Sequence, residues 1–308
     1  MDASIVIATL NRKEMLEICL RCLNEQDYPA HEFEVIVVDD GSTDGSMDMV
    51  NAWPARFALR CVTAGRQGCG PARNLGVSEA RGDIIIFMDD DAFAPPWFIS
   101  EHMKTHRTAG RPVFADGPAV YVSGREAMEK PPFISWAIKM KAWLDFFGSH
   151  FICVNVSCPR QDFLRVGGFD MRFGKAYGFQ DNEMGFRFQQ AGVAGVRNRR
   201  AYVLHHSSGT PTLEMEMKKR SDRGGTAALF YAKYRLPEVK KIIHWHYMKW
   251  DSRLERWGLV RWATPEKVAA MKQDGHPLYP LARKILLTHL FAVSLRKGLE
   301  AAGITEQE

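Results

Sequence analysis

Three short runs of consecutive β-branched residues, each ending in polar or acidic side chains, constrain this chain more than any other feature. Ser4–Ala8 (SIVIA), Glu34–Val38 (EVIVV) and Asp83–Met88 (DIIIFM) are unbroken rather than alternating. Unbroken runs suit strands covered on both faces, as in a parallel sheet. Between the first two lies Lys13–Asn24, with Met15, Ile18, Cys19, Cys22 and Leu23 at helical spacing and Asn11 placed to cap it. Asp44–Trp53 and Pro71–Ala80 are further helix segments before the third run. This alternation predicts an α/β, doubly wound, mainly parallel sheet with helices on both faces, whose strand C-termini open onto ligand-binding loops.

The pattern changes after Asp91. Pro95-Pro96 breaks the chain, Trp97–Thr108 reads as helix, and Val113–Val122 as one strand. An aromatic-rich stretch, Lys130–Phe147, precedes a strand at Phe151–Ser157 and a short helix at Arg160–Val166. A glycine-rich bend at Gly167–Asp170 leads to a helix from Asp181 to Ala191, and Ala201–His205 reads as a last strand. From Pro211 onward the pattern is helical. The organisation predicted is an α/β region in two halves (1–95 and 96–210), which the family resemblance given below implies to be the nucleotide-sugar-binding and acceptor-binding halves, and a helical, basic, Trp-rich extension (211–308).

Composition narrows the class. With 46% hydrophobic and 25% charged residues, a packed core is attainable and wholesale disorder is excluded. The first ten residues lack the basic lead-in of a secretory signal, no apolar run is long enough to span a membrane, and six irregularly spaced Cys suit reduced thiols. A cytoplasmic protein is expected. Residues 211–308 carry 18 Lys and Arg against 11 Asp and Glu, so the whole positive excess lies there. A solvated surface explains this first. Trp245, Trp250, Trp257 and Trp262, interleaved with Lys and Arg, also leave a peripheral contact at the inner membrane face open. Docking on the α/β region that precedes it is the expected use of the apolar face around Leu281, Ile285, Leu286, Leu290 and Val293. No nucleic-acid module is present, so no nucleic-acid partner is expected.

The strand ends carry the chemistry. Asp89-Asp90-Asp91 follows the third run directly. Carboxylates this close repel unless a cation or hydrogen-bond donors offset them, and a hard ion such as Mg²⁺ or Mn²⁺ takes carboxylates together with phosphate oxygens. A solvated turn is the bland alternative. Gly65–Gly76 (GRQGCGPARNLG) is a glycine-rich loop entering a helix, with Arg66 and Arg73 supplying charge, but it has neither Walker nor dinucleotide spacing. Asp39–Gly45 reads as a turn with capping residues or as an acid that accepts from a base or ribose.

Taken in order, Ser4–Arg12, Val37–Gly45, Gly70–Gly76, Phe87–Asp91, Val166–Asp170, Phe179–Glu183 and His205-His206 resemble the motif series of inverting family-2 glycosyltransferases of the GT-A fold. The resemblance covers about residues 3–210. It implies a nucleotide-sugar donor, UDP-linked by expectation, contacted by Thr9, Asn11, Arg12, Asp39, Asp40, Gly70, Arg73, Asn74, Asp89 and Asp90. It implies Mn²⁺ or Mg²⁺ on Asp91 and Asp89 with His205, His206 being the fallback, and Asp181 as the base that activates a glycan or glycoconjugate acceptor. The sugar, the acceptor and the oligomeric state are not implied. Three positions depart from the family pattern: Ala8 replaces Pro, Gln180 replaces the Glu before the base, and Ala92 replaces an acid. None removes the metal acid or the base. A nucleotidyltransferase, or a catalytically silent glycan-binding scaffold on the same fold, are the alternative readings.

Elsewhere, Cys19 and Cys22 have zinc-like spacing but fall on an apolar helical face and are expected in the core, as are Cys153 and Cys158. Trp136 and Trp143, with Phe133, Phe146 and Phe147, read equally as an acceptor-stacking wall or as core.

Overall fold

The computed structural model describes residues 1–124, 131–133, 135–143, 150–174, 176–206 and 211–305. The chain divides into two compact units, residues 1–175 with 181–209, and residues 176–180 with 210–308.

The first unit is built on a seven-stranded sheet. In chain order its strands are β1 (Ala3–Thr9), β2 (Phe33–Asp39), β3 (Ala58–Thr63), β4 (Ile84–Met88), β6 (Val113–Asp116), β8 (Asn155–Pro159) and β9 (Ala194–Arg197). In space they run β3-β2-β1-β4-β8-β6-β9, and β8 alone is antiparallel to its neighbours β4 and β6. A second, three-stranded sheet joins β5 (Ala92–Phe93), β10 (Val203–His206) and β7 (Ala119–Val122). The α-helices among the described residues up to 190 are α1 (Lys13–Asn24), α2 (Ser46–Asn51), α3 (Cys69–Glu79), α4 (Phe98–Thr108), α5 (Trp136–Trp143), α6 (Arg160–Arg165) and α7 (Gln180–Gln190).

The unbroken apolar runs behave as double-faced strands. Ile5 and Ile7 of β1 enter one core cluster with Leu16, Cys19, Leu20 and Leu23 of α1, whereas Val6 enters the cluster of the opposite face with Ala72 and Val77 of α3. β1 lies between β2 and β4, so chain order reverses there and the ends at Thr9, Asp39 and Met88 open a crevice at a topological switch point.

Sequence reading needs correction at several elements. β3 and β9 were not anticipated: β3 (ALRCVT) has no buried residue, and β9 is four half-buried residues. The expected strand Val113–Val122 divides at Gly117-Pro118, and its halves join different sheets. Proline cannot donate to a ladder, and a Cβ on Gly117 would sit 1.8 Å from the Ala201 carbonyl oxygen. Asn11 does not cap α1. Its backbone is left-handed (φ 52°) and its side chain accepts from Thr43 N at 2.7 Å, while Asp44 accepts from Lys13 N at 2.9 Å from across the loop.

Beneath the sheet, His102 is fully buried between Ser157 Oγ (2.8 Å from Nδ1) and Asn155 Oδ1 (2.9 Å from Nε2). The amide oxygen only accepts, so Nε2 carries the proton and Nδ1 accepts from the hydroxyl. Burial pushes His102 down to about 3, against the Asn155 hydrogen bond, which keeps it neutral and ties α4 to β8.

The second unit is helical: α8 (Leu213–Tyr234), α9 (Pro237–Ile242), α10 (His246–Arg256), α11 (Leu259–Trp262), α12 (Pro265–Gln273) and α13 (Tyr279–Ala301). α8 and α13 cross closely because Gly224 lacks a side chain; a Cβ there would lie 2.4 Å from Phe291 O. Ile285 and Leu286 of α13 are buried with Ala263 and Val268 of the same unit, so part of the α13 apolar face is covered within the extension itself. Leu281 is exposed. Among the described residues, no helix is long and apolar enough to cross a membrane.

Candidate active site

The C-terminal ends of β1 and β4 bring four charged groups together. Asp90 is buried, and both its oxygens are engaged: Thr9 Oγ1 donates to Oδ2 at 2.8 Å and Arg12 Nη1 to Oδ1 at 3.1 Å. Burial raises Asp90 to about 6, with Arg12 and Thr9 opposing. It braces the turn that carries Asp89 and Asp91. Asp91 also accepts from Arg12, through Oδ2. Burial works to raise Asp91, but His205 and Arg12 outweigh it and hold the carboxylate below its ordinary value.

Asp89, Asp91 and His205 each offer one ligand atom, all within 4.8 Å of one another. The pairing of β5 with β10 sets this up, since it places His205 opposite Ala92, next to Asp91. His205 Nε2 lies 3.1 Å from Asp91 Oδ1. That is ion-pair distance, yet Asp91 Oδ1 and His205 Nδ1 are buried without an aligned hydrogen bond. Burial lowers His205, but contact with Asp91 and then the charge of Asp89 reverse this and raise it. Two carboxylates and an imidazole converging this closely fit a hard divalent cation.

Arg73 of α3, itself buried, links this cluster to Asp181. Its Nη2 donates to Asp89 Oδ1 at 2.8 Å and its Nη1 lies 3.9 Å from Asp181 Oδ1. Asp181 is the second residue of α7, and its Oδ2 accepts from Cys153 N at 3.1 Å. Burial raises Asp181 above the ordinary Asp value, with Arg73 and the Cys153 N–H pulling the other way. Asp91 and Asp181 therefore belong to one neighbourhood, spanned by Asp89 and a single guanidinium.

Other residues singled out from the sequence are engaged within the protein. Asp39 accepts from Ser42 N, and Asp40 accepts from Gln67 N at 2.7 Å and Gly68 N at 2.9 Å, pinning the glycine-rich loop. Asn74 bonds the backbone of Phe169 through both ends of its amide, and Gly70 is buried in the first turn of α3. The His206 ring stands 6.4 Å from that of Phe93, while its backbone N donates to Asp91 O. Beside the acids lies a cavity of about 450 Å³ lined by Asn11, Arg12, Lys13, Glu14, Met15, Asp44, Asp91 and His206. Tyr121, not anticipated from the sequence, packs edge-on to His205 at 5.1 Å because β7 pairs with β10. Only the long-range pairing reveals it.

Trp136 and Trp143 are 74% and 57% exposed, which rules out the core reading for both; Phe146 and Phe147 lie outside the described residues. Cys19, Cys22, Cys153 and Cys158 are buried free thiols, as expected for core residues. A second acid–histidine set, Asp251, Glu255 and His289, lies in the helical unit. There Arg296 Nη1 donates to Asp251 at 2.6 Å and His289 Nδ1 lies 2.9 Å away, so the buried carboxylate already has its counter-charge.

A mostly parallel sheet with this acid cluster at its switch point is the GT-A architecture of nucleotide-sugar enzymes. The chain belongs to glycosyl transferase family 2, whose model matches residues 4–164. It is 29% identical over 237 residues to validoxylamine A glucosyltransferase of Streptomyces hygroscopicus subsp. jinggangensis, spanning 65% of this chain and 54% of that protein. It is 28% identical over 256 residues to the uncharacterized glycosyltransferase YfnE of Bacillus subtilis, spanning 67% and 64%. This chain thus spans about half to two-thirds of those relatives. In fold it is similar to a mannosyltransferase of Pyrobaculum calidifontis solved with GDP-Man and Mn²⁺ (TM-score 0.62, 20% identity, covering 97% and 86% of the two chains). It is also similar to S. aureus TarS 1-349 solved with UDP-GlcNAc (TM-score 0.53, 16% identity, covering 97% and 92%).

Proposed function

We propose that the protein transfers one sugar from a nucleotide-sugar donor, UDP-linked in our reading, to an acceptor hydroxyl with inversion, using Mn²⁺ or Mg²⁺. The observation that carries this is the convergence of Asp89, Asp91 and His205, one guanidinium away from Asp181. The fold relatives solved with GDP-Man and Mn²⁺ or with UDP-GlcNAc support the donor class.

Asp89, Asp91 and His205 are the residues that would hold the ion. When bound, it offsets the charge that develops on the departing diphosphate. Asp181 Oδ1 is the oxygen left to act as base, since Oδ2 accepts from Cys153 N. It takes the acceptor proton as the acceptor oxygen bonds to the anomeric carbon and the bond to the diphosphate breaks. Burial raises its proton affinity toward that task. Arg73 keeps Asp89 and Asp181 in register and presents positive charge beside the leaving group. Residues 1–95 form the donor half and 96–210 the acceptor half in this reading.

The test is product analysis. Incubation with UDP- and GDP-sugars, Mn²⁺ and an acceptor panel should release nucleoside diphosphate and yield an inverted glycoside. Release of pyrophosphate would point to nucleotidyl transfer, and no release with any acceptor would favour a silent scaffold.

A further inference from the structure

The helical extension contains cations that its own acids do not neutralise. On α8, Glu216 pairs with Arg283 and Asp222 with Lys218. Arg220 and Arg223, one helical turn apart on the same helix, make no ion pair to a carboxylate among the described residues. Instead they lie on aromatic rings. Arg220 is 5.6 Å from the Tyr247 centroid and 5.8 Å from that of Phe291, and Arg223 is 4.9 Å from that of Phe179.

Two histidines add to this face. The His244 ring is 5.8 Å from His246 and 5.6 Å from Tyr247, and the His246 ring is 4.6 Å from Tyr247. His244 adopts left-handed backbone (φ 58°) at the turn between α9 and α10, an uncommon conformation for a residue with a side chain. Arg220, Arg223, His244 and Tyr247 are all half-buried. Burial lowers Arg223, partly offset by Tyr177, and Arg220 lowers it further. Burial also lowers His244, followed by repulsion from Arg223, His246 and Arg220. Ring contacts offset only a part of such crowding. A bound anion would relieve the remainder, and two guanidinium forks match phosphate geometry better than a point charge does.

We propose that Arg220, Arg223, His244 and His246 form a second anion site, within the helical extension, that takes a phosphate-class oxyanion. The site is independent of the donor assignment, since none of its residues belongs to the acid cluster. The phosphate is that of a nucleotide or of another phosphate ester, such as a phosphorylated acceptor.

The experiment uses the full chain. Thermal midpoints are compared in phosphate and in chloride at equal ionic strength, for wild type and for Arg220→Gln/Arg223→Gln. Calorimetry with glycerol 3-phosphate, and separately with UDP plus Mn²⁺, follows. Phosphate should raise the wild-type midpoint and leave the double variant unmoved. In chloride the variant should melt no lower than wild type, because like charges have been removed. Glycerol 3-phosphate should bind the variant at least about tenfold more weakly. If UDP affinity falls as well, a nucleotide phosphate is the source; if it holds, another phosphate ester is. A phosphate response retained by the double variant overturns the site. Should that variant fail to fold, Arg220→Lys/Arg223→Lys keeps the charge and must retain part of the wild-type response. Its absence there, or in wild type, refutes the proposal.

Discussion

Replacing Asp181 by Asn separates the proposed base from the rest of the site. An amide keeps an oxygen to accept from Cys153 N, so the start of α7 should hold its place. The lost charge stood 3.9 Å from Arg73 Nη1. Two unit charges at that distance attract by about 4 kcal/mol at an effective dielectric near 20. Burying the carboxylate opposes this term, as the raised pKa of Asp181 shows, and Arg73 keeps Asp89 at 2.8 Å. The net loss of folding stability should therefore be only about 1–2 kcal/mol. Donor affinity should change less than about tenfold, because the base faces the acceptor. Transfer should fall by about 10²–10⁴, the usual contribution of a general base. Asp181 must be ionised to act, and its pKa is raised, so wild-type activity should rise with pH along an acid limb above the ordinary Asp value. That limb should vanish in the variant. Single-turnover transfer at saturating donor and acceptor, beside calorimetric donor binding, checks both quantities. A rate within tenfold of wild type, or an equal loss of donor affinity, would refute the role.

Two further outcomes follow from packing. His102 is held neutral and titrates about 3 when folded, so unfolding below its ordinary value of 6.5 takes up a proton and stability is lost as the medium becomes acid. The loss from this group is about 2 kcal/mol by pH 5; His102→Gln should flatten the slope of thermal midpoint against pH between 7 and 5, and an unchanged slope would contradict the account. Gly224→Ala should cost about 1–3 kcal/mol in denaturant unfolding, since its Cβ would meet a backbone oxygen of α13 at 2.4 Å. Unaltered stability would mean that α8 and α13 separate without cost.

What the sequence made legible was local. β1, β2 and β4 are buried on both faces, so their unbroken Val and Ile runs stand out, and the acids that end them follow directly in the chain. The edge strand β3 buries none of its residues and leaves no such signature. The break between β6 and β7 depends on the contact of Gly117 with Ala201, far along the chain. The same division holds within the site. Asp89, Asp91 and Asp181 carry motifs, whereas the engagement of Asp40 with the Gln67–Gly68 backbone and the packing of Tyr121 on His205 are products of tertiary pairing. The cationic face of the extension was legible only as a charge excess; which arginines lack acids depends on how α8, α10 and α13 pack.

The account rests on a cation gripped by Asp89, Asp91 and His205. Calorimetric titration of UDP- and GDP-sugars onto the full chain, in Mn²⁺ and again in EDTA, for wild type and Asp91→Ala, tests it most directly. At least one donor should bind wild type about tenfold or more tightly in Mn²⁺ than in EDTA, and the variant should lose that difference. Equal wild-type binding in both media, or a variant with undiminished metal dependence, would contradict it.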